Sequence, residues 1–218
     1  MNKIGSFDWD GTCVDTMRTK TQAFGTSLEQ FLQGFPGGAV QASAGYSLFG
    51  GLPREEQLSK VLAHNGLAML TETDYAQWST LFTTTYNSTT PNLETGLLEA
   101  LDNIKNIGYH IVISSNVEQA SLKNTVSKYL AVGERIEHIF GSNATGGKGV
   151  RHSNSIAAIG KHKFHVGDHP EDVRAYHTIP VIGYIATLDA DQRKTLLETR
   201  PHAIISRYQE LLSVIEQL

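Results

Sequence analysis

The stretch Phe7-Asp8-Trp9-Asp10-Gly11-Thr12-Cys13-Val14-Asp15, which follows a short β-like run from Lys3, decides how the rest of the chain is read. Side chains two apart on a strand point the same way, so Asp8 and Asp10 can converge on one ligand. Gly11 lets the backbone turn sharply beneath them. Two carboxylates held together at a strand end repel each other, and a hard cation such as Mg²⁺, which prefers oxygen donors, relieves that repulsion. A second acidic pair, Asp168 and Asp172, stands in Val166-Gly167-Asp168-His169-Pro170-Glu171-Asp172-Val173-Arg174-Ala175, again where an apolar run gives way to a helical pattern. Four carboxylates at two strand ends point to a metal-dependent phosphate site.

Working outward, the short apolar runs that read as strands are Ile4 to Phe7, His110 to Ser114, His138 to Phe140, Phe164 to Val166, Val181 to Ile185 and Ala203 to Ile205. Helical spacing lies between most of them. Leu97, Leu101 and Ile104 keep it up to Gly108, and Leu122, Val126, Tyr129 and Leu130 repeat it after the second strand. This alternation predicts an α/β fold, a Rossmann-like parallel sheet with helices on both faces.

Residues 16–89 break the alternation, because they hold helical patterns and no convincing strand. Phe24, Leu28, Phe31 and Leu32 form one stripe, Leu58, Val61 and Leu62 a second behind Pro53, and Tyr75, Trp78 and Phe82 a third. The expected organisation is an α/β core from residues 1–15 and 90–218, with an all-helical cap inserted at 16–89. Phe35-Pro36-Gly37-Gly38 and the loop from Gly141 to Gly149 read as flexible places.

The 218 residues carry 18 basic and 22 acidic side chains, a formal net charge of −4. That balance argues against nucleic acid or an acidic membrane surface as the main partner. The single cysteine, Cys13, cannot form an internal disulfide, and no apolar run approaches the roughly 20 residues of a membrane span, so a cytoplasmic setting is expected. Cys13 itself reads as a small packed side chain. Oligomeric state is open.

The chain resembles the haloacid dehalogenase superfamily, in particular its phosphatase branch with a helical cap, the group of phosphoglycolate phosphatase and β-phosphoglucomutase. Four ordered motifs carry the resemblance: Phe-Asp-Trp-Asp-Gly-Thr at 7–12, the strand ending Ile113-Ser114-Ser115-Asn116, a lysine near 148, and Gly-Asp-x-x-x-Asp at 167–172. It implies Asp8 as nucleophile, Asp10 as acid and base, and Ser114 and Lys148 as catalytic groups. It further implies Mg²⁺ held by Asp8, the Asp10 carbonyl and Asp168, with Asp172 acting through a metal-bound water. Thr12, Ser115, Asn116 and Arg54 are the implied substrate contacts. The implied substrate is a small phosphate ester.

Three points temper the reading. Lys161 and Lys163 stand closer than Lys148 to the last motif, and Gly149 follows Lys148 where many relatives have proline; Lys148 is preferred because its Gly-rich loop follows the third strand. That loop lacks the first glycine and the Ser or Thr of a P-loop. His162, His165 and His169 span a strand and a turn, and read as ordinary surface and core residues rather than as a metal cluster.

In the cap, Phe49-Gly50-Gly51-Leu52-Pro53-Arg54-Glu55-Glu56 resembles the substrate-selecting loop, where Arg54 could bind a second anionic group. Lys20 stands where mutase relatives carry a histidine, and Gly50 where they carry a lysine. Both departures count against a mutase; the alternatives to hydrolysis are a phosphomutase or phosphotransferase of the same superfamily, or a non-catalytic phosphate-binding regulatory protein. After the last motif, Tyr176-His177-Thr178-Ile179-Pro180 replaces the small residues usual in relatives.

Overall fold

A computed structural model describes residues 2–49, 54–142, 148–186, 188 and 190–218. Its α/β unit is built on strands β1 (Lys3–Phe7), β2 (Tyr109–Glu118), β3 (His138–Ser142), β4 (Lys161–Gly167), β5 (Val181–Tyr184) and β6 (Ala203–Ile205). They form a six-stranded sheet in the order β3-β2-β1-β4-β5-β6. Every pairing is parallel. The fold class read from the sequence is therefore the one observed.

Because β1 lies between β2 and β4, the chain builds outward on one side of β1 and then crosses to the other. Open α/β sheets bind ligands at the carboxyl ends of the strands flanking such a crossing. Asp8 follows the end of β1, and Asp168 the end of β4.

Alternation along the strands sends side chains to two apolar layers. Phe7, Ile111, Ile113, Phe164 and Val166 pack with Leu97, Leu101 and Ile104 of α5 (Leu97–Asn106) in one buried cluster. Ile4 and Val112, facing the other way, pack on Ile156 of a helix at Val150–Ile159. A Cβ on Gly5 would lie 2.3 Å from the Phe164 ring, so the smallest residue makes room for that ring across β1.

β2 runs on to Glu118, past the Ser114 at which its apolar pattern stops. After a register shift between Ser114 and Glu118 it pairs again, Glu118 with Ser142. Ser115 is buried and Val117 packs against the core, so burial holds this extension together with the Glu118–Ser142 pairing.

The second unit, Thr16–Asn92, is helical, and the first unit comprises Met1–Asp15 and Leu93–Leu218. Where the chain leaves and re-enters the first unit, Val14 bridges Leu93 and Glu94 N donates to the Cys13 carbonyl at 3.0 Å. The helical unit holds α1 (Thr16–Phe31), α2 (Gly38–Leu48), α3 (Arg54–His64) and α4 (Glu72–Asn87) around Phe24, Leu28, Leu58, Leu62, Trp78 and Phe82. Thr71 and Asp74 form a capping box that starts α4.

Helix α2 was not legible as a stripe. Its sequence is small and nearly uniform, and it works by close approach: a Cβ on Gly25 of α1 would lie 2.1 Å from Ser43 Oγ and 2.2 Å from the Ala39 carbonyl.

Candidate active site

The segment after β1 is tied down by its own backbone. Asp8 N donates to the Val166 carbonyl at 2.9 Å, Gly11 N to Val14 O at 2.9 Å, and Cys13 N to Trp9 O at 2.9 Å. Gly11 has φ +73°, a conformation that favours glycine, and a Cβ there would lie 2.3 Å from Asp168 Oδ2. Thr12 Oγ1 donates to Asp168 Oδ1 at 3.0 Å, and Tyr208 OH donates to the Thr12 carbonyl at 2.9 Å.

Asp172 is positioned by a short helix, Pro170–Ala175, with proline in its first turn. His169 N donates to Asp172 Oδ2 at 3.1 Å, which leaves Oδ1 to face the site. A Cβ on Gly167 would lie 2.3 Å from Asp172, so this glycine admits the carboxylate to the strand end.

The two acidic motifs meet at Lys148. Its Nζ lies 2.8 Å from Asp8 Oδ2 and 2.5 Å from Asp172 Oδ1, with Lys148 only 5%, Asp8 9% and Asp172 0% exposed. Asn116 Oδ1 accepts from Lys148 N at 2.9 Å and so anchors the residue at its backbone. Of the three lysines weighed from sequence, this is the one whose ammonium reaches the carboxylates. Lys161 and Lys163 lie on β4, which begins at the opposite end of the sheet.

The electrostatics are those of excess negative charge. Burial raises the Asp8 carboxyl, although Lys148 pulls it back, and burial with the charges of Asp8 and Asp172 raises Asp168 well above the usual carboxylate range. Burial works against ionised Asp172 too, but Lys148 and His165 outweigh it and hold that carboxyl low. Lys148 is destabilised by burial and more than compensated by Asp8 and Asp172, so it remains an ammonium.

One oxygen each of Asp8, Asp168 and Asp172 lie within 4.8 Å of one another. Asp8 Oδ1 is buried with no hydrogen-bond partner among the described residues. A cluster of hard oxygen donors carrying more charge than one ammonium balances fits a divalent cation such as Mg²⁺. The Asp10 side chain is outside this trio; Asp10 is half-buried in the turn and its backbone bridges Val14.

Ser114, expected from the sequence to bind a transferring phosphoryl oxygen, is turned elsewhere. Its Oγ lies 2.7 Å from His152 Nδ1 and 2.5 Å from Tyr176 OH. His152 Nε2 faces the Gly141 carbonyl at 3.1 Å, which can only accept, so Nε2 carries the proton. Burial lowers His152 to about 4, which makes the ring neutral and Nδ1 an acceptor. Burial pushes the Tyr176 phenol up to about 12, so it stays a donor. Ser114 therefore gives its proton to His152 and accepts one from Tyr176. Ser115, one residue on, is also buried, and its Oγ accepts from Val117 N at 3.4 Å.

The Thr12 hydroxyl is likewise committed, to Asp168. Arg54 belongs to the helical unit, where its guanidinium lies 4.4 Å from the Phe82 ring centre and 3.5 Å from Ser79 Oγ. Residues 50–53 of the loop that begins at Phe49, and 143–147 before Lys148, lie outside the described residues.

Sequence reasoning missed Ser6, His152, His165 and Tyr176. The available signal was polarity inside strands: parallel strands covered on both faces are normally apolar throughout, so Ser6, His162 and His165 needed partners.

No family model matches the chain, and no curated protein matches it. Solved structures do. A phosphoglycolate phosphatase predicted in Haemophilus somnus has a TM-score of 0.75 at 15% identity, covering 98% of this chain and 97% of its own. A haloacid dehalogenase-like family hydrolase of Streptococcus pneumoniae gives 0.71 at 17% identity, with 98% of each chain covered. YfnB of Bacillus subtilis, assigned by prediction as a hydrolase of the same class and bound to magnesium, gives 0.72 at 16% identity, again with 98% of each chain covered. The fold is that of the haloacid dehalogenase-like hydrolases. It extends over essentially the whole chain, the helical unit included.

Proposed function

We propose that the chain is a Mg²⁺-dependent phosphatase that hydrolyses a small phosphomonoester by way of an Asp8 phosphate. The observation that carries this reading is the buried Lys148 bridge between Asp8 and Asp172 beside Asp168, with one Asp8 oxygen unpartnered among the described residues. Such a site is built to receive both a cation and an oxyanion.

Asp8 attacks phosphorus, forming the Asp8–phosphorus bond as the ester P–O bond breaks, which divides one hard displacement into two easier ones. Two unit negative charges at 4 Å repel by about 4 kcal/mol at an effective dielectric near 20. Lys148, held as an ammonium between the carboxylates, offsets part of that repulsion. Mg²⁺, held by Asp8 and Asp168 with Asp172 alongside, supplies further positive charge against the phosphoryl oxygens when bound. Asp10 protonates the leaving alkoxide, then takes a proton from the water that attacks the Asp8 phosphate, releasing inorganic phosphate and regenerating Asp8. We assign the phosphoryl-binding hydroxyl to Ser115 in place of Ser114, whose proton is given to His152. Thr12 and Asn116 act by holding Asp168 and Lys148.

Arg54 supports an ester bearing a second anionic group. It lines a cavity of about 240 Å³ in the helical unit, together with Lys20, Tyr46, Gln57, Phe82 and Tyr86. The likeness to a phosphoglycolate phosphatase makes phosphoglycolate the first ester to assay.

The test is phosphate release from a panel of small phosphomonoesters, with Mg²⁺ and with chelator, for the native chain and Asp8→Asn. Turnover that needs both Mg²⁺ and Asp8 is expected. Activity that survives Asp8→Asn in pure protein, or silence across the panel in protein shown to bind Mg²⁺, overturns the reading.

A further inference from the structure

A second set of polar side chains lies behind the site, inside the sheet, with no part in the chemistry above. Ser6 is fully buried on the central strand, two residues before Asp8. Its Oγ lies 2.7 Å from His165 Nδ1 and 2.7 Å from His162 Nε2, both on the neighbouring strand β4. His165, also fully buried, places Nε2 3.0 Å from Asp172 Oδ1, the same oxygen that receives Lys148. Tyr176 covers the His165 ring, with centres 4.3 Å apart, and meets the His162 ring edge-on at 5.2 Å. That tyrosine is in turn fixed by Ser114, which His152 holds.

Donor bookkeeping gives the arrangement a direction. A carboxylate only accepts, so His165 Nε2 must carry a proton and donate it to Asp172 whatever the charge on the ring. The Ser6 hydroxyl, able both to donate and to accept, closes the other end of His165 and joins it to His162. The register of β1 on β4 pairs Ser6 with His165, so the contact is built into the sheet and not into a loop. Ser6, His162, Ser114, His152 and Tyr176 thus form one connected polar and stacked network around His165, which alone of the six reaches the carboxylate oxygen that holds the ammonium. A core that needed only packing would fill these positions with apolar residues and leave nothing to satisfy.

We propose that His165 is a positioning residue: its Nε2–H, backed by Ser6 and clamped by Tyr176, fixes Asp172 and through it the Lys148 ammonium in the geometry the phosphoryl group meets. Groups that orient a ligating or charge-bearing side chain in this way typically contribute about 10- to 100-fold in metal affinity or activity. The proposal rests on the phosphatase reading for its effect on turnover, but not for its structural content.

Three variants and two readouts test it. His165→Leu fills the space without a donor, His165→Gln restores an amide donor of similar reach, and Ser6→Ala removes the backing hydroxyl. With the panel's best ester and saturating Mg²⁺, His165→Leu is expected to lower kcat by about 10- to 100-fold with KM changed much less. His165→Gln is expected to recover most of that loss, and Ser6→Ala to fall between. The second readout is independent of turnover: ¹⁵N-histidine spectra of the wild-type protein should show a His165 Nε2 proton protected from solvent exchange, and Ser6→Ala should hasten that exchange.

A folded His165→Leu protein with wild-type kcat overturns the proposal, even if its melting temperature falls, because the side chain would then only fill the core. Should His165→Leu fail to fold, Ser6→Ala decides, and wild-type kcat with wild-type Nε2 exchange overturns it. If the wild-type chain hydrolyses no phosphomonoester, the phosphatase reading fails by itself. The positioning proposal is then judged on the spectrum, where the absence of a protected Nε2 proton overturns it.

Discussion

The Lys148 ammonium lies 2.8 Å from the Asp8 carboxylate, and both groups are almost entirely out of solvent. Deleting one member of a buried ion pair strands the other, at a cost of about 3–5 kcal/mol. Lys148→Ala is therefore expected to lose about that much stability in metal-free protein, measured by urea denaturation. Added Mg²⁺ should return part of it. A variant as stable as wild type in chelator would show that the carboxylates do not depend on this ammonium.

Mg²⁺ itself should stabilise the native chain by mass action. At 100 times its Kd a ligand contributes about 2.7 kcal/mol. For a protein of this size each kcal/mol is worth about 2–4 °C, so a rise in Tm of about 5–10 °C is expected. Chelator should reverse the shift, and Asp168→Asn should abolish most of it. Equal melting curves with Mg²⁺ and with chelator would remove the metal from the site.

Asp10→Asn separates proton transfer from nucleophilic attack. A positioned acid–base group contributes about 10²- to 10⁴-fold, so kcat should fall by that much for an alkyl ester. An ester with an acidic leaving group, which departs without a proton, should show a smaller loss in the first step. Rapid-quench measurement of phosphate on Asp8 would detect the difference.

Gly11→Ala tests the turn. The added methyl must occupy a left-handed backbone conformation and meet Asp168 Oδ2 at 2.3 Å. The backbone term alone costs about 1–2 kcal/mol. Mg²⁺ affinity, measured by calorimetry, should fall because Asp168 must move, and unchanged affinity would contradict the close approach.

Acid should destabilise the fold through its buried neutral histidines. Burial lowers His152 to about 4 and His162 to about 3, against 6.5 for a free histidine. The unfolded chain then binds more protons than the native one as pH falls below about 6.5, so this stability is complete above that pH. It is lost progressively down to about 4 for His152 and about 3 for His162. His152→Asn should flatten the fall of Tm between pH 6.5 and 4 while lowering Tm at pH 7.5. A parallel decline in both proteins would argue against the assignment.

What the sequence discloses follows from which interactions leave a periodic trace. The six strands are legible because two-sided burial writes apolar runs, and Asp8, Asp168 and Asp172 stand out because carboxylates abut those runs. Helix α2 leaves no stripe, since it packs through Gly25, Ala39 and Ser43 by proximity of backbones. The far end of β2, Ser115 to Glu118, has Val117 as its one apolar residue and rejoins the sheet where Glu118 pairs with Ser142, too little to read as a strand. The hydrogen bonds that tie Ser6 to His165, and Ser114 to His152 and Tyr176, join residues 38 to 159 apart in the chain, which no local pattern encodes, and the His165–Asp172 bond, 7 residues apart, crosses a strand end and a turn that share no common period. The same holds for Ser114: adjacency to an apolar strand suggests an exposed hydroxyl, whereas Tyr176 and His152 draw it inside.

Because β1 is first in the chain yet central in the sheet, its neighbours arrive late. Its first partner begins at Tyr109, and the strand on its other flank begins at Lys161. At a synthesis rate of about 5–20 residues per second, the segment carrying Asp8 waits on the order of 5–20 s after leaving the ribosome before β2 exists to pair with it. During that interval the helical unit, which is contiguous from Thr16 to Asn92, can complete its own core. The nascent chain is thus expected to acquire protease-resistant helices first and its acidic cluster last, only after the residues up to Asp172 have emerged.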